Sequence, residues 1–456
     1  MSADTSAPIR APEPPAPPPA HRRAAPRLRA SLRRAAPALG LYAASRLIGL
    51  VCMAAWAGRI GKHPRTLLGY CWDSVWYVGV ARHGYNYNTL LPDPAKHGVT
   101  FSDMAFFPLF PMLVRTLTTL LPISAVTAGL VVAWAAAGAA AWGIHAVGEL
   151  LYGRRVATAL VVLWGLLPHA IVQSMAYTEP LLTALAAWSL YAVLTRRWLS
   201  AGALALLAGA SRPNGIAVAA AVCCCAAAEG ARRCRKGERA QAARYERPST
   251  VDRRQGLRRP GAEPSRAALW RRGRGSSEVP ETPEVREARE GASWRVWAGA
   301  ALSPLGWLGY LAWVGYERGS WRGYFAVQEE WGSRFDFGVN ALLFVRHLLI
   351  HKASFTYFVA LVILGVAVVL LALLVADRPP LALLVYTLVL VAITLGGSNY
   401  FASKPRFLLP AFPLLLPVAL AMTRARPRTA VLTGGALAGL SFVYGTYLLT
   451  VARVPI

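Results

Sequence analysis

The sequence predicts an all-α polytopic membrane protein, a bundle of about 11 transmembrane helices with one interfacial helix and two larger external loops. Composition is the first reason: 55% of the 456 residues are hydrophobic, 16% are charged and the mean hydropathy is +0.39, too apolar for a solvated globular surface. Recurrence is the second, because apolar runs of roughly 17 to 25 residues repeat along the chain, as a bilayer core of about 30 Å requires, with no pattern of short alternating strands. Charge placement is the third. Residues 1–35 hold 7 Arg and residues 230–295 hold 18 Lys and Arg against 9 Asp and Glu, so 25 of the 49 basic residues behind the net charge of +27 lie in two stretches that flank apolar runs. That is the positive-inside pattern of cytoplasmic segments. Neither stretch interleaves aromatics as a base-stacking surface would, so nucleic acid is not an expected partner.

Taken in order, residues 1–35, with PAPPPA and scattered Arg, read as a disordered basic cytoplasmic tail, too long and proline-rich for a cleaved signal peptide. A first span over 36–57 exports 58–105, a loop rich in aromatic, Gly and Pro residues. Residues 106–122 suit an interfacial helix, because a central Arg115 would cost roughly 2.5 to 3.5 kcal/mol in a full span. Spans over 124–148, 156–173 and 179–195 then leave Arg154-Arg155 and Arg196-Arg197 inside and Tyr177 to Glu179 outside. The run 199–229 is broken by SRPNG at 211–215 and reads as two short helices meeting near the outer surface, an irregularity tolerated where backbone lines a cavity. Residues 230–295 form a second disordered cytoplasmic segment, dividing an N-terminal module (36–229) from a C-terminal one (296–456). The chain re-enters over 296–315, presents an external loop over 316–354, and ends with spans over 355–376, 381–396, 406–422 and 429–451. No internal repeat is visible, which weighs against a secondary transporter.

Among the six cysteines only Cys71 falls outside, so no disulfide framework follows, and Cys223 to Cys225 sit in an Ala/Val helix as small apolar side chains. His347 and His351 lie four apart, but no acidic residue completes a zinc signature; Glu329-Glu330 has nothing to fix a cation's geometry, and no metal or other cofactor is expected.

The chemistry-bearing signal is WDSVWYVGVARHGY at 72–85, followed by AFFPLFP at 105–111, with YTEPLLTALAAWSLYAV at 177–193, ASRPNG at 210–215 and PRFLLPAFPL at 405–414. By position alone Asp73 is equally a catalytic carboxylate or an interfacial aspartate between anchoring tryptophans. In motif types and order the chain resembles the PIG-V family, the second mannosyltransferase of GPI-anchor assembly and its bacterial relatives, over residues 72–414. It departs from that pattern at Pro213 and Thr178, where Ser is common, and in the 230–295 insertion. The resemblance implies a GT-C-like glycosyltransferase with the catalytic acid in the first external loop, a polyprenyl-phosphate sugar as donor, and Asp73 as the carboxylate. It also implies a plasma-membrane location with the N-terminus in the cytoplasm and the site outside it.

The residues are compatible with that role. Transfer from a phosphate carrier needs a base for the acceptor hydroxyl and cations for the departing phosphate, and a placed carboxylate contributes roughly 10² to 10⁴-fold. Trp72 and Trp76 beside Asp73 could hold it in a partly apolar setting. Arg212, Lys404 and Arg406, each at a membrane boundary in apolar surroundings, are candidates for the phosphate or for simple snorkelling; Arg82 joins them or is exposed. Glu179 either starts its helix as a dipole-favoured acid or binds sugar hydroxyls or Arg212. Asp103 is a weaker second carboxylate. Trp72, Trp76, Tyr77, Tyr85, Tyr177, Glu179 and Asn214 are the expected substrate contacts. The acceptor is open among glycolipid, polysaccharide and protein, and alternatives remain: another polyprenyl-linked sugar, or a flippase or transporter of lipid or polysaccharide.

Overall fold

The computed structural model describes residues 24–87, 101–245, 294–452 and 454. Among them no β-strand occurs, only one bridged pair, Phe335 and Gly397. The helices are α1 (Ala24–Arg59), α2 (Pro64–Gly69), α3 (Asp73–His83), α4 (Leu109–Leu120), α5 (Ala125–Tyr152), α6 (Arg154–Gly165), α7 (Glu179–Leu194), α8 (Trp198–Gly209) and α9 (Ile216–Tyr245). After a helical stretch at 294–302 follow α10 (Leu305–Glu317), α11 (Gly323–Glu330), α12 (Val339–Ile350), α13 (Phe355–Ala376), α14 (Leu381–Gly396), α15 (Lys404–Phe407), α16 (Leu416–Arg424) and α17 (Pro427–Thr450).

Among the described residues, five helical stretches are long and apolar enough to cross a membrane: Arg29–Arg59, Ala125–Tyr152, Pro213–Arg235, Phe355–Ala376 and Pro427–Thr450. A sixth exists if Phe401–Phe407 and Phe412–Arg424, bent by 81°, count as one broken span. The expectation of about 11 spans is therefore not confirmed. The runs expected to span as 156–173, 179–195 and 381–396 contain helices of 12, 16 and 16 residues, and 296–315 is split at Ser303-Pro304 between the 294–302 stretch and the 13-residue α10. At 1.5 Å per residue these reach roughly 18–24 Å, short of a core of about 30 Å. Chain breaks cause the shortfall: α6 stops at Gly165, and Leu167-Pro168 lead into a tight 3₁₀ turn at Ala170–Ser174.

Two other boundaries differ. Part of the tail expected to be disordered is helical from Ala24, and the second basic segment continues α9 to Tyr245. Ala, Arg and Leu are strong helix formers, and both stretches adjoin a helix that is already nucleated. The rest of those two expectations, over 1–23 and 246–293, lies outside the described residues. The 58–105 loop carries α2 and α3, and the interfacial expectation at 106–122 corresponds to α4.

Packing rests on small residues. α5 lies against α6 and α7, burying Ala133, Ala137, Ala140, Ala141 and Gly148, and a Cβ on Gly148 would sit 2.9 Å from the Ala157 backbone. Close backbone approach of this kind lets apolar helices associate where lipid offers no hydrophobic driving force. Gly153, at φ 84°, ends α5 and starts α6 in a single residue, a conformation that a side chain would strain. Elsewhere α8 meets the 294–302 stretch so tightly that a Cβ on Gly202 would collide with the Gly299 carbonyl. Gly202→Ala is expected to lose about 1–3 kcal/mol by overpacking. A lowered thermal midpoint in detergent checks this, and an unchanged midpoint contradicts it. At the other end of the bundle Lys62 ties α1 to α17 by donating to the Thr450 carbonyl at 2.9 Å.

Outward faces are apolar as well. α13 exposes Val362, Val366, Val369 and Leu373, and α17 exposes Val431, Leu432 and Val443. Such a belt is large for a surface in water and natural for one covered by lipid.

Candidate active site

Four charged side chains from four separate segments meet inside this apolar frame. Asp73 is the first residue of α3, where the helix dipole favours an acid. Its Oδ2 lies 2.7 Å from Nη2 of Arg406, on α15. The Arg406 Nε lies 3.7 Å from Oε1 of Glu179, and the same oxygen pairs with Arg212. Glu179 opens α7; Arg212 precedes the turn Pro213–Gly215 that breaks α8 from α9. Side chains of Glu179, Arg212 and Arg406 are at most 9% exposed, whereas Asp73 retains 22%. Two carboxylates balance two guanidinium groups, so no net charge is buried, which is the condition for tolerating such a cluster in apolar surroundings.

Aromatic rings complete the cradle. The Arg406 guanidinium lies over Tyr177 at 5.1 Å and Phe407 at 5.0 Å, and Arg212 covers the same Phe407 ring at 5.2 Å. These are cation–π distances, which restrain both cations without consuming their N–H donors. Tyr177, fully buried, accepts the backbone N–H of Asp73 at its hydroxyl, 3.3 Å away. Tyr77 and Thr178 share a hydroxyl–hydroxyl bond of 3.1 Å, fastening α3 to the start of α7. Trp72, just before the carboxylate, has φ 49°, a left-handed conformation costly for a bulky residue and held only where the surroundings over-determine it.

Of the residues expected from sequence, Asp73, Tyr77, Tyr177, Glu179, Arg212 and Arg406 are brought together. Trp72 is partly exposed beside them, and Asn214 lies partly exposed two residues beyond Arg212. Trp76 and Tyr85 belong to a supporting wall: Trp76 stacks on Phe106 at 5.6 Å and meets Trp331 edge-on at 5.0 Å, and Tyr85 donates to the Phe106 carbonyl at 2.8 Å. Burial pushes the Tyr85 phenol above its ordinary range, so it remains an O–H donor. Asp103 is buried and accepts the Asn86 N–H at 3.0 Å, and Arg82 is exposed at the end of α3.

Lys404 is placed elsewhere. Its Nζ donates to the carbonyls of Thr394 at 2.8 Å, Gly397 at 2.6 Å and Leu395 at 3.4 Å, capping the C-terminal end of α14. Three ammonium donors directed at three carbonyls leave none for a phosphate, so the expectation that Lys404 binds the donor is corrected to a helix-capping role. Lys404→Met is expected to lower the thermal midpoint, through loss of that cap, while leaving the Asp73–Arg406 pair in place. A variant as stable as the wild type would contradict it.

Sequence reading missed the lid of the wall. Tyr310 donates to the carbonyls of Met104 and Phe106 at 2.9 and 2.8 Å, and Trp331 Nε1 donates to Ser102 O at 2.9 Å, holding 102–106 beneath α3. It also missed His169, 2% exposed, with neither ring nitrogen hydrogen-bonded and its ring 5.2 Å from that of Tyr444. No spacing pattern marks these long-range contacts.

No family model, curated protein or solved structure matches the chain. Among the described residues no three His, Cys, Asp or Glu side chains gather as metal ligands would, and the His347 and His351 rings lie 4.4 Å apart, tilted by 36°, with no carboxylate completing a group of three. The arrangement offers a partly accessible carboxylate tied to a guanidinium that still has an unused donor: Arg406 Nη1 is buried and makes no hydrogen bond. One cation can thus hold a base and an anion side by side.

Proposed function

We propose that the chain is a membrane glycosyltransferase that moves a sugar, mannose first among the candidates, from a polyprenyl-phosphate carrier to an acceptor hydroxyl at the outer face of the plasma membrane. The observation that carries this reading is the Asp73–Arg406 pair at 2.7 Å, with Arg406 Nη1 unspent. In the proposed step the Asp73 carboxylate takes the acceptor's hydroxyl proton and the acceptor oxygen bonds to the anomeric carbon. The bond from that carbon to the phosphate oxygen breaks, and its electron pair leaves with the phosphate. Attack opposite the leaving group inverts the anomeric centre. Arg406 stabilises the departing phosphate through Nη1, with Arg212 adding to the local positive potential. Tyr77, Tyr177 and Trp72 shape the sugar pocket, and Glu179 sets the positions of both guanidinium groups.

Membrane residence supports a lipid-borne donor, because five long apolar helices keep the cluster at a bilayer that such a carrier also occupies. The test is incubation of the purified protein with radiolabelled polyprenyl-phosphate-mannose and a cell-envelope extract. Labelled, mannosidase-sensitive product with equivalent release of polyprenyl phosphate is expected. Movement of the intact carrier without a covalent product would replace this reading with lipid translocation. Sidedness is tested separately: Tyr87→Cys in an otherwise cysteine-free chain should react with an impermeant thiol reagent added outside intact cells, and protection there would refute the outer-face assignment.

A further inference from the structure

A second charged position lies within the longest apolar span and has no ion-pair partner among the described residues. Arg46 sits about midway along the Arg29–Arg59 span, roughly 20 Å from its C-terminal end by helix rise. It is 8% exposed, its Nε makes no hydrogen bond, and no carboxylate among the described residues pairs with it. Two polar side chains that line the same cavity are already engaged: Tyr42 donates to Gln173 Oε1 at 2.9 Å, and Gln173 Nε2 donates to the Trp164 carbonyl at 2.9 Å. An unpaired guanidinium at this depth is costly, and a counter-charge is expected.

Space for one is present. Arg46 lines a cavity of about 700 Å³ between α1 and α5, walled by Leu39, Leu47 and Leu50 on one side and Trp134 and Trp142 on the other. Gly138 forms part of its wall, and a Cβ there would meet nothing within 4 Å. The volume falls in the range of ligand pockets, and the walls are those of a hydrocarbon site with one cationic residue. Gln173 and Ser174, from the segment Ala170–Ser174, also line the cavity, and none of the four charged residues of the Asp73 cluster does.

We propose that this groove binds an anionic phospholipid of the surrounding bilayer, its phosphate paired with Arg46 and an acyl chain lying along the α1–α5 wall. Charge selects the head and the apolar lining selects the tail, so neither a neutral lipid nor a free anion satisfies both. The proposal is independent of the transfer chemistry.

The protein, purified in a neutral detergent, is titrated with short-chain phosphatidylglycerol, with the corresponding diacylglycerol lacking phosphate, and with inorganic phosphate, the thermal midpoint being read at each step. The wild type is expected to rise by several degrees with phosphatidylglycerol alone. Arg46→Leu should require roughly ten- to a hundredfold more of this lipid for the same rise, the loss of one charge-assisted contact. Arg46→Lys should retain part of the response. Gly138→Leu, which keeps the charge and fills the groove, should lose it, so the proposal stays testable if Arg46→Leu does not fold. A wild type that does not respond, an equal response in Arg46→Leu or Gly138→Leu, or equal stabilisation by diacylglycerol or by inorganic phosphate overturns it.

Discussion

Asp73→Asn is expected to lower sugar transfer by about 10² to 10⁴-fold, the contribution of a placed base. The substitution preserves shape and a carbonyl oxygen within reach of Arg406 Nη2, now 2.7 Å from Oδ2, so the position of the guanidinium should persist. What is lost is the ability to accept a proton from the acceptor. The loss should fall on turnover rather than on donor binding, because Arg406 Nη1 and Arg212 remain. Single-turnover rates with the labelled donor, alongside the thermal midpoint in the same detergent, separate loss of chemistry from loss of fold. A folded Asp73→Asn protein that transfers at the wild-type rate would remove Asp73 from the mechanism.

Glu179→Gln carries the largest expected effect on stability. Glu179 is 1% exposed and is the carboxylate shared by Arg212 and Arg406. Neutralising it leaves two buried cations with Asp73 alone for balance, and breaking a buried pair in this way costs about 3–5 kcal/mol. Removing the excess cation as well should recover part of that loss, so Glu179→Gln with Arg212→Met should be more stable than Glu179→Gln alone. Melting curves of both single variants and the double variant give the coupling; additive losses would show that Glu179 and Arg212 do not act as a pair.

The site was more legible in the sequence than the number of spans. Asp73, Glu179, Arg212 and Arg406 stand out because each is ionisable at the edge of an apolar run, and the cost of leaving such a group unpaired drives these residues together whatever the fold between them. Hydropathy locates apolar runs but not where the backbone interrupts them. Leu167-Pro168 and the 81° bend after Phe407 divide would-be spans into pieces that composition reports as whole, whereas the SRPNG break was visible in the sequence itself. Lys404 shows a finer limit. It is two residues from Arg406, close in sequence but directed to a different side of the same helical turn, so similar chemistry and near-identical position give one residue to the cluster and the other to a helix end. Tyr310 and Trp331 were illegible for another reason: their roles depend on carbonyls more than two hundred residues away.

The pairing of Asp73 with Arg406 also sets a schedule for biogenesis. The two residues are separated by roughly 330 positions, which at about 5–20 residues per second is on the order of 20 to 60 seconds of translation. Throughout that interval a nascent chain holds its aspartate without the arginine that neutralises it. Any chain ending before α15 keeps that imbalance permanently, and truncated products should therefore be cleared by membrane proteases instead of accumulating as partly active fragments.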